Sequence, residues 1–460
     1  MPSPKIKLNA KPEAMLSKYS EERLPRYTSY PTAPNFSAEI GADTYRDWLE
    51  AIPADKPISL YFHVPFCRSM CWYCGCHTKV SQQDAPIVDY LATLQQEIDL
   101  TSDAIGRALP AGHIHFGGGT PTIMGPDAFQ QVMAQLNQKF DISDTTEIAI
   151  EVDPRTMTTD MAKALGQGGV NRASLGVQSF DPVVQKAINR VQSFDQTNKA
   201  VKDLRNVGVE GISFDLIYGL PHQTVQSCIE TVEQSLEMKP DRFSVFGYAH
   251  IPSFKKHQEV IDELPLPDGQ ERHEQAEAIS ETLVAAGYKR IGLDHYALPG
   301  DDLAIAQTKG ELHRNFQGYT TDVCETLVGF GASSIGCFKG GYVQNNVALG
   351  QYAKAINQGK LATAKGYQFI PDDLLRADII ERLMCDFEVD LKQICAAHGA
   401  DSASLLEGND RLAMLAVDGL VEISNGRVIV NKDMRFIVRQ VAASFDSYIG
   451  LAGRTHSRAA

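Results

Sequence analysis

The sequence predicts an α/β protein, a partial (β/α)6 barrel with an N-terminal arm and a smaller C-terminal helical, winged-helix-like domain. Three observations point there. Between residues 56 and 300, short apolar runs alternate with helical patterns of ordinary length, as parallel βαβ units do. Polar or glycine-rich residues recur where the apolar runs end, and such barrels carry function at the C-terminal ends of their strands. From about residue 370 helices give way to two apolar runs joined across Asn425-Gly426, a strong hairpin signal. Four segments are therefore expected: an arm and helix (1–55), the barrel (56–300), an extension (301–369) and a cap (370–460).

Within the arm, Pro25 and Pro31 block helix around Arg26-Tyr27-Thr28-Ser29-Tyr30, so this stretch is extended, and its tyrosines are expected to pack on the barrel. The strands are expected at Ile58–Val64, His113–Phe116, Glu147–Val152, Arg172–Val177, Ile212–Tyr218 and Phe243–Ala249, followed by Arg290–Tyr296. Apolar residues at helical spacing, such as Ile87, Tyr90, Leu91, Leu94 and Ile98, place helices between them.

After the first strand comes Cys67-Arg68-Ser69-Met70-Cys71-Trp72-Tyr73-Cys74-Gly75-Cys76. Thiolates separated by three and then two residues can converge on a soft metal centre. Structural zinc prefers four ligands, usually from two separated pairs, and no second pair with that spacing follows. A four-iron cube takes one thiolate per iron, so Cys67, Cys71 and Cys74 would leave one iron open to a ligand. Cys76 could close the cluster or serve the substrate side. The second role is expected, because Cys-x-Cys residues on an extended segment face opposite ways.

Composition narrows the function further. A chain of 460 residues with 43% hydrophobic content has a sizeable core available. No apolar run approaches the roughly 20 residues of a membrane span, and Met1 to Lys11 is polar, so a cytoplasmic protein is expected. Nine cysteines, odd in number and clustered, do not form a disulfide framework. A net charge of −14 argues against nucleic acid as a partner, so the wing is expected to be a structural cap. An anionic small substrate would need a locally basic pocket.

Gly117-Gly118-Gly119-Thr120 lacks the spacing of a dinucleotide fingerprint and the lysine of a phosphate loop. It offers backbone that a ligand can approach closely. Glu151, Gln178, Arg190 and Asp215 lie at or near successive strand ends, where carboxylates can accept ribose hydroxyls and arginine can bind a carboxylate. Arg314 and His313, in a dense loop patch from Leu312 to Thr321, could meet substrate carboxylates.

Together these motifs resemble the oxygen-independent coproporphyrinogen III oxidase family of the radical S-adenosylmethionine (SAM) superfamily. The resemblance spans nearly the whole chain: Pro25 to Thr32, Tyr61-Phe62-His63 with the cysteine loop, Gly117 to Thr122, Glu151-Val152-Asp153-Pro154, Gly176 to Phe180, Asp215 to Pro221, Gly247 to His250 and Leu312 to Thr321. It implies a [4Fe-4S] cluster on Cys67, Cys71 and Cys74, with Cys76 a non-ligating cysteine and Tyr61 beside it in the catalytic centre. It further implies two SAM molecules, one at Tyr61, Tyr73, Gly118, Glu151 and Ile335, the other at Gly119, Thr120, Gln178, Arg190, Asp215 and Ala249. Arg26, His313 and Arg314 are the candidate substrate residues. Ser253 stands where the family is expected to carry Trp, a local packing difference.

The reaction so implied is oxidative decarboxylation of two propionates of coproporphyrinogen III to vinyl groups by a monomer, with a flavodoxin- or ferredoxin-like electron donor and no membrane or nucleic-acid partner. A radical SAM haem chaperone is the alternative. That group lacks the cysteine at the Cys76 position and the N-terminal arm, and both are present here.

Overall fold

The computed structural model describes residues 22–450 and, before them, residues 15, 18 and 19; the polar start of the arm lies outside the described residues. Six strands lie side by side in chain order, each parallel to the next: β1 (Ile58–Val64), β2 (Pro110–Gly118), β3 (Asp141–Val152), β4 (Arg172–Gln178), β5 (Gly211–Tyr218) and β6 (Arg242–Gly247). This is the topology of a partial (β/α)6 barrel.

Parallel strands covered on both faces are usually apolar throughout; these alternate. Leu60, Phe62, Ile114, Phe116, Ile150, Leu175, Phe214 and Phe243 point to the helix side and are almost wholly buried, each contributing roughly 1.5–3 kcal/mol. The opposite face carries Ser59, Tyr61 and His63 on β1, His113 and His115 on β2, Glu147 and Glu151 on β3, Arg172 and Ser174 on β4, Asp215 on β5 and Arg242 and Ser244 on β6. Strand register lines them up, Tyr61 with His115, Glu151 with Ser174 and Asp215 with Ser244. The period of two therefore builds an apolar helix side and a polar lumen from the same strands. Reciprocal capping boxes fix where the helices Phe194–Arg205, Val225–Glu237 and Gly269–Ala285 begin.

Residues 290–296, expected as one strand, instead form a hairpin. β7 (Lys289–Ile291) and β8 (His295–Ala297) are antiparallel, and β8 is antiparallel to β6. Gly292 sits at φ 53° and turns the chain back, which a residue with a Cβ does reluctantly. After the small ribbon of β9 (His313–Asn315) and β10 (Gly318–Thr320), β11 (Thr326–Phe330) joins the free edge of β1 in parallel, and β12 (Ile335–Phe338), β13 (Gly341–Asn345) and β14 (Thr363–Gln368) extend the sheet antiparallel.

The C-terminal part has its own core. Helix α1 (Pro371–Asp386) leads into β15 (Glu388–Asp390), three short helices and the hairpin of β16 (Val421–Ser424) and β17 (Arg427–Val430). Asn425 and Gly426 both have positive φ, 54° and 85°, as a two-residue primed turn requires. Helix α2 (Val438–Ala443) closes this winged-helix-like unit. Tyr27 and Tyr30 pack into this core rather than on the barrel; the Tyr27 hydroxyl reaches Asp446 at 3.1 Å and that of Tyr30 lies 2.9 Å from Ser447 Oγ. The extended arm straps the cap, because its buried tyrosines need hydroxyl partners and the cap supplies them.

Candidate active site

The cysteine loop leaves β1 at Pro65 and is held by its neighbours. Trp72 N–H donates to Ile188 O (3.0 Å), Asn189 Nδ2 to Met70 O (2.7 Å), Gln258 Nε2 to Tyr73 O (2.9 Å), His257 Nε2 to Cys74 O (2.7 Å) and Lys255 Nζ to Cys76 O (2.9 Å). A loop so tied presents its thiols in a fixed direction. Each of the three sulfurs has a donor. Thr120 Oγ1 stands 3.4 Å from Cys67 Sγ, Arg155 Nη2 and Arg190 Nη1 each 3.4 Å from Cys71 Sγ, and the Cys76 N–H 3.4 Å from Cys74 Sγ. Such donors stabilise thiolates and tune a cluster's potential.

Cys76 does not face away from Cys74. The chain turns at Trp72-Tyr73 and bends at Cys76, so the segment is not extended, and the two thiols are in hydrogen-bonding contact. Among the described residues no three His, Cys, Asp or Glu side chains converge on a single ion. A cube with one thiolate per iron does not require that convergence.

Beside the thiols the three glycines run past Glu151. A Cβ on Gly117 would lie 2.9 Å from Glu151 Oε1, and one on Gly119 would lie 2.6 Å from the Phe66 carbonyl oxygen, so bare backbone is required there. Gly118 N–H donates to Glu151 Oε2 (3.1 Å) and His115 Nε2 lies 3.6 Å from Oε1. Burial opposes ionisation of Glu151, but His115 and the Gly118 N–H outweigh it and hold the carboxyl below its usual range. Asp215, accepting from Ser174 Oγ at 3.1 Å, behaves oppositely: burial and the nearby Glu151 carboxylate push it up to about 7.

Arg190 is buried, donating to Gly176 O (2.5 Å) and lying 3.4 Å from Asp153. Among the described residues its Nε has no hydrogen-bond partner, and neither has the buried Gln178 Oε1. Gln178 sits at φ 68°, a conformation costing of order 1–3 kcal/mol that tends to mark functional sites. Unsatisfied buried polar atoms, a glycine cradle and three donor-bonded thiols together fit a cluster and a polar ligand bound beside it.

Tyr61 OH donates to His63 Nδ1 (3.0 Å), whose Nε2–H donates to His77 O (3.1 Å). That carbonyl fixes the tautomer, and burial keeps His63 neutral. Ile335 is nearby, its backbone against Gly329, which is paired with Tyr61. Tyr73 is packed with Val184, Ile188 and Tyr248.

From Ala249 a cavity of about 1010 Å³ opens away from the cysteine loop. Among the described residues, seven Lys or Arg side chains line it against four carboxylates, a local positive surplus in a chain of net charge −14. Arg26 and Arg314 are among them. His313 is not, its Nδ1 being 3.2 Å from Glu381 on α1. Sequence reasoning missed Arg272, Asp294 and Arg439. Arg272 donates to Tyr248 O (2.9 Å) and stands over the Tyr218 ring. Burial disfavours the Asp294 carboxylate, but His295, Arg314 and Arg26 hold it at about 2. None of the three carries a local motif. The polar alternation within parallel strands was a legible signal for the lumen.

A thiol-rich loop at the mouth of a partial barrel is the arrangement of the radical SAM superfamily, and residues 61–234 match that superfamily. The chain is 58% identical over 441 residues to the oxygen-independent coproporphyrinogen III oxidase of Bradyrhizobium diazoefficiens, covering 96% of this chain and 98% of the relative. With that of Paracoccus denitrificans the identity is 42%, covering 95% and 97%. The solved structure of the coproporphyrinogen III oxidase from Escherichia coli, a radical SAM enzyme, superposes with a TM-score of 0.88 at 35% identity, covering 97% of this chain and 100% of that one. The chain belongs to the family of oxygen-independent coproporphyrinogen III oxidases.

Proposed function

We propose that this protein converts coproporphyrinogen III to protoporphyrinogen IX without oxygen, using a [4Fe-4S] cluster and SAM. The observation that carries the reading is the set of three donor-bonded thiols beside a glycine cradle and unsatisfied polar atoms, at the end of a cavity with surplus positive charge. When bound, cluster and SAM would supply a 5′-deoxyadenosyl radical able to take hydrogen from a propionate β-carbon, after which carbon dioxide and one electron leave and a vinyl group remains.

The chain's own residues bind, orient and exclude. Cys67, Cys71 and Cys74 would hold the cluster, while Tyr61, Tyr73, Gly118, Glu151 and Ile335 hold the SAM on it. Gly119, Thr120, Gln178, Arg190, Asp215 and Ala249 would hold a second SAM. Glu151, kept ionised, suits an ammonium or ribose hydroxyl; Asp215, pushed toward neutrality, can donate as well as accept. Cys76 is proposed to act on the substrate side, with Tyr61 locked beside it by His63. Arg26 and Arg314 would meet substrate carboxylates, and His313, tied to Glu381, would steady the strand carrying Arg314.

Described residues of the arm and of the C-terminal unit line the cavity and would keep water and oxygen from the radical, and the proposed division of the chain is into segments 1–55, 56–300, 301–369 and 370–460. No helix among the described residues is long and apolar enough to cross a membrane. A cytoplasmic monomer reduced by a flavodoxin- or ferredoxin-like donor completes the reading. An anaerobic assay of reconstituted protein with coproporphyrinogen III, SAM, reductant and cell extract as acceptor tests it. Loss of two carboxyl groups with formation of 5′-deoxyadenosine is expected; stable haem binding without porphyrin turnover would favour a chaperone.

A further inference from the structure

Beyond β3 the chain runs Asp153-Pro154-Arg155-Thr156 and folds back on itself. The Asp153 carboxylate accepts from the Arg155 N–H (3.0 Å), and the Thr156 N–H donates to the Asp153 carbonyl (3.1 Å), the kind of local turn aspartate favours. The Arg155 guanidinium then closes on the same carboxylate, with Nε 3.0 Å from Oδ1 and Nη2 2.6 Å from Oδ2, a two-bonded fork. Held in this way, Arg155 Nη2 also stands 3.4 Å from Cys71 Sγ.

The three thiols are not served alike. Cys67 receives a neutral hydroxyl and Cys74 a backbone N–H, whereas Cys71 receives two guanidinium groups, those of Arg155 and Arg190. Asp153 braces both, lying 3.4 Å from Arg190 Nη2. Two cations thus face one carboxylate and one sulfur, and their charges balance when Cys71 is a thiolate. The side chains of Arg155 and Asp153 are only 15% and 10% exposed, too enclosed for salt to screen them as it screens surface charges. Arg190 has a further partner in the Gly176 carbonyl and stands among the residues proposed for a second SAM. Among the described residues, the side-chain hydrogen bonds of Arg155 run to Asp153 and Cys71, so its placement serves that sulfur.

An electron added to a cluster held by Cys71 makes the site more negative. A cation beside the sulfur favours that addition and an anion opposes it. Resting on the function proposed above, we propose that Arg155 is a positioning residue whose charge, delivered to Cys71 Sγ, raises the reduction potential of the cluster. Asp153 both aims that charge and limits it. The potential is therefore set by a pair of opposed charges in the turn after β3.

A potentiometric titration of the full-length, cluster-reconstituted protein, followed by electron paramagnetic resonance without SAM or porphyrin, tests this. Arg155→Gln removes the charge and is expected to lower the midpoint by about 59 mV, a tenfold fall in the ratio of reduced to oxidised cluster at a fixed potential. Arg155→Lys should recover most of the loss. Asp153→Asn, which keeps an acceptor for Arg155 Nε, should shift the midpoint the other way. Unchanged midpoints overturn the proposal, and so do shifts of one sign in Arg155→Gln and Asp153→Asn, which would mark a general disturbance of the loop. If Arg155→Gln assembles no cluster, Arg155→Lys decides: an unaltered midpoint supports the role of the charge, and a cluster missing there as well overturns it. Failure of the unaltered protein to hold a reducible cluster overturns the proposed function itself.

Discussion

The barrel's lumen is charged at both ends, but the charges behave differently. At the floor, Arg172 meets Glu147, Arg242 meets Asp301 through both carboxylate oxygens, and His113 stands 3.6 Å from both Glu147 and Asp322, whose other oxygen accepts from Ser59. At the mouth the pairing is looser, Arg190 lying 3.4 Å from Asp153, and the described residues of the cavity beyond carry more cations than carboxylates. Single buried atoms without a hydrogen-bond partner among the described residues occur at both ends, Arg172 Nη1 and Arg242 Nη2 as well as Arg190 Nε and Gln178 Oε1. The same residue types in the same alternation balance their charges at one end and leave a cationic surplus at the other. Charge alone does not mark a site; charge left unbalanced inside a fold does.

The largest effects that would break this contrast belong to the mouth. Cys67→Ala is expected to abolish cluster absorbance and turnover together, while the far-ultraviolet circular dichroism of the apoprotein stays unchanged. Cys76→Ser should retain the cluster absorbance yet form no vinyl groups; a normal rate by porphyrin mass analysis would remove Cys76 from the reaction.

A floor substitution should act on stability instead. Arg242→Met strands Asp301 and is expected to cost about 3–5 kcal/mol by urea unfolding, with the substrate KM of the folded fraction unchanged. A raised KM with unaltered stability would reverse the roles given to the two ends.

Smaller, and opposite in sign, are the pH effects. Burial opposes ionisation of Glu147, but His113, Arg172 and Arg242 hold it at about 2 against an ordinary 4.5. Its contribution is complete above pH 4.5 and is lost as pH falls toward 2, roughly 3 kcal/mol in all. Asp215 stands at about 7 against 3.8, so the native state favours its protonated form and loses stability as pH rises from about 4 to 7. Asp215→Asn should therefore stabilise the ligand-free protein at pH 8, by ~1 kcal/mol or more, read from urea midpoints at pH 5 and 8. Destabilisation at pH 8 would show Asp215 ionised and satisfied.

What could be read from the sequence was local. The six strands follow from apolar runs between helical patterns, the cysteine loop from spacing, and the wing from Asn425-Gly426. The hairpin at 289–297 was hidden because one glycine was its only signal within an apolar stretch. Tyr27 and Tyr30 could not be placed, since an extended segment does not record which core it enters. Arg272 and Arg439 lie on helices 167 residues apart, and no period or motif links them; only the tertiary fold brings both to one cavity.

The central claim is tested most directly by isotope. Coproporphyrinogen III carrying deuterium at its propionate β-carbons is turned over anaerobically, and the 5′-deoxyadenosine is weighed by mass spectrometry. The account predicts one deuterium in each 5′-deoxyadenosine formed, with carbon dioxide released in step. Vinyl formation with unlabelled 5′-deoxyadenosine would contradict it.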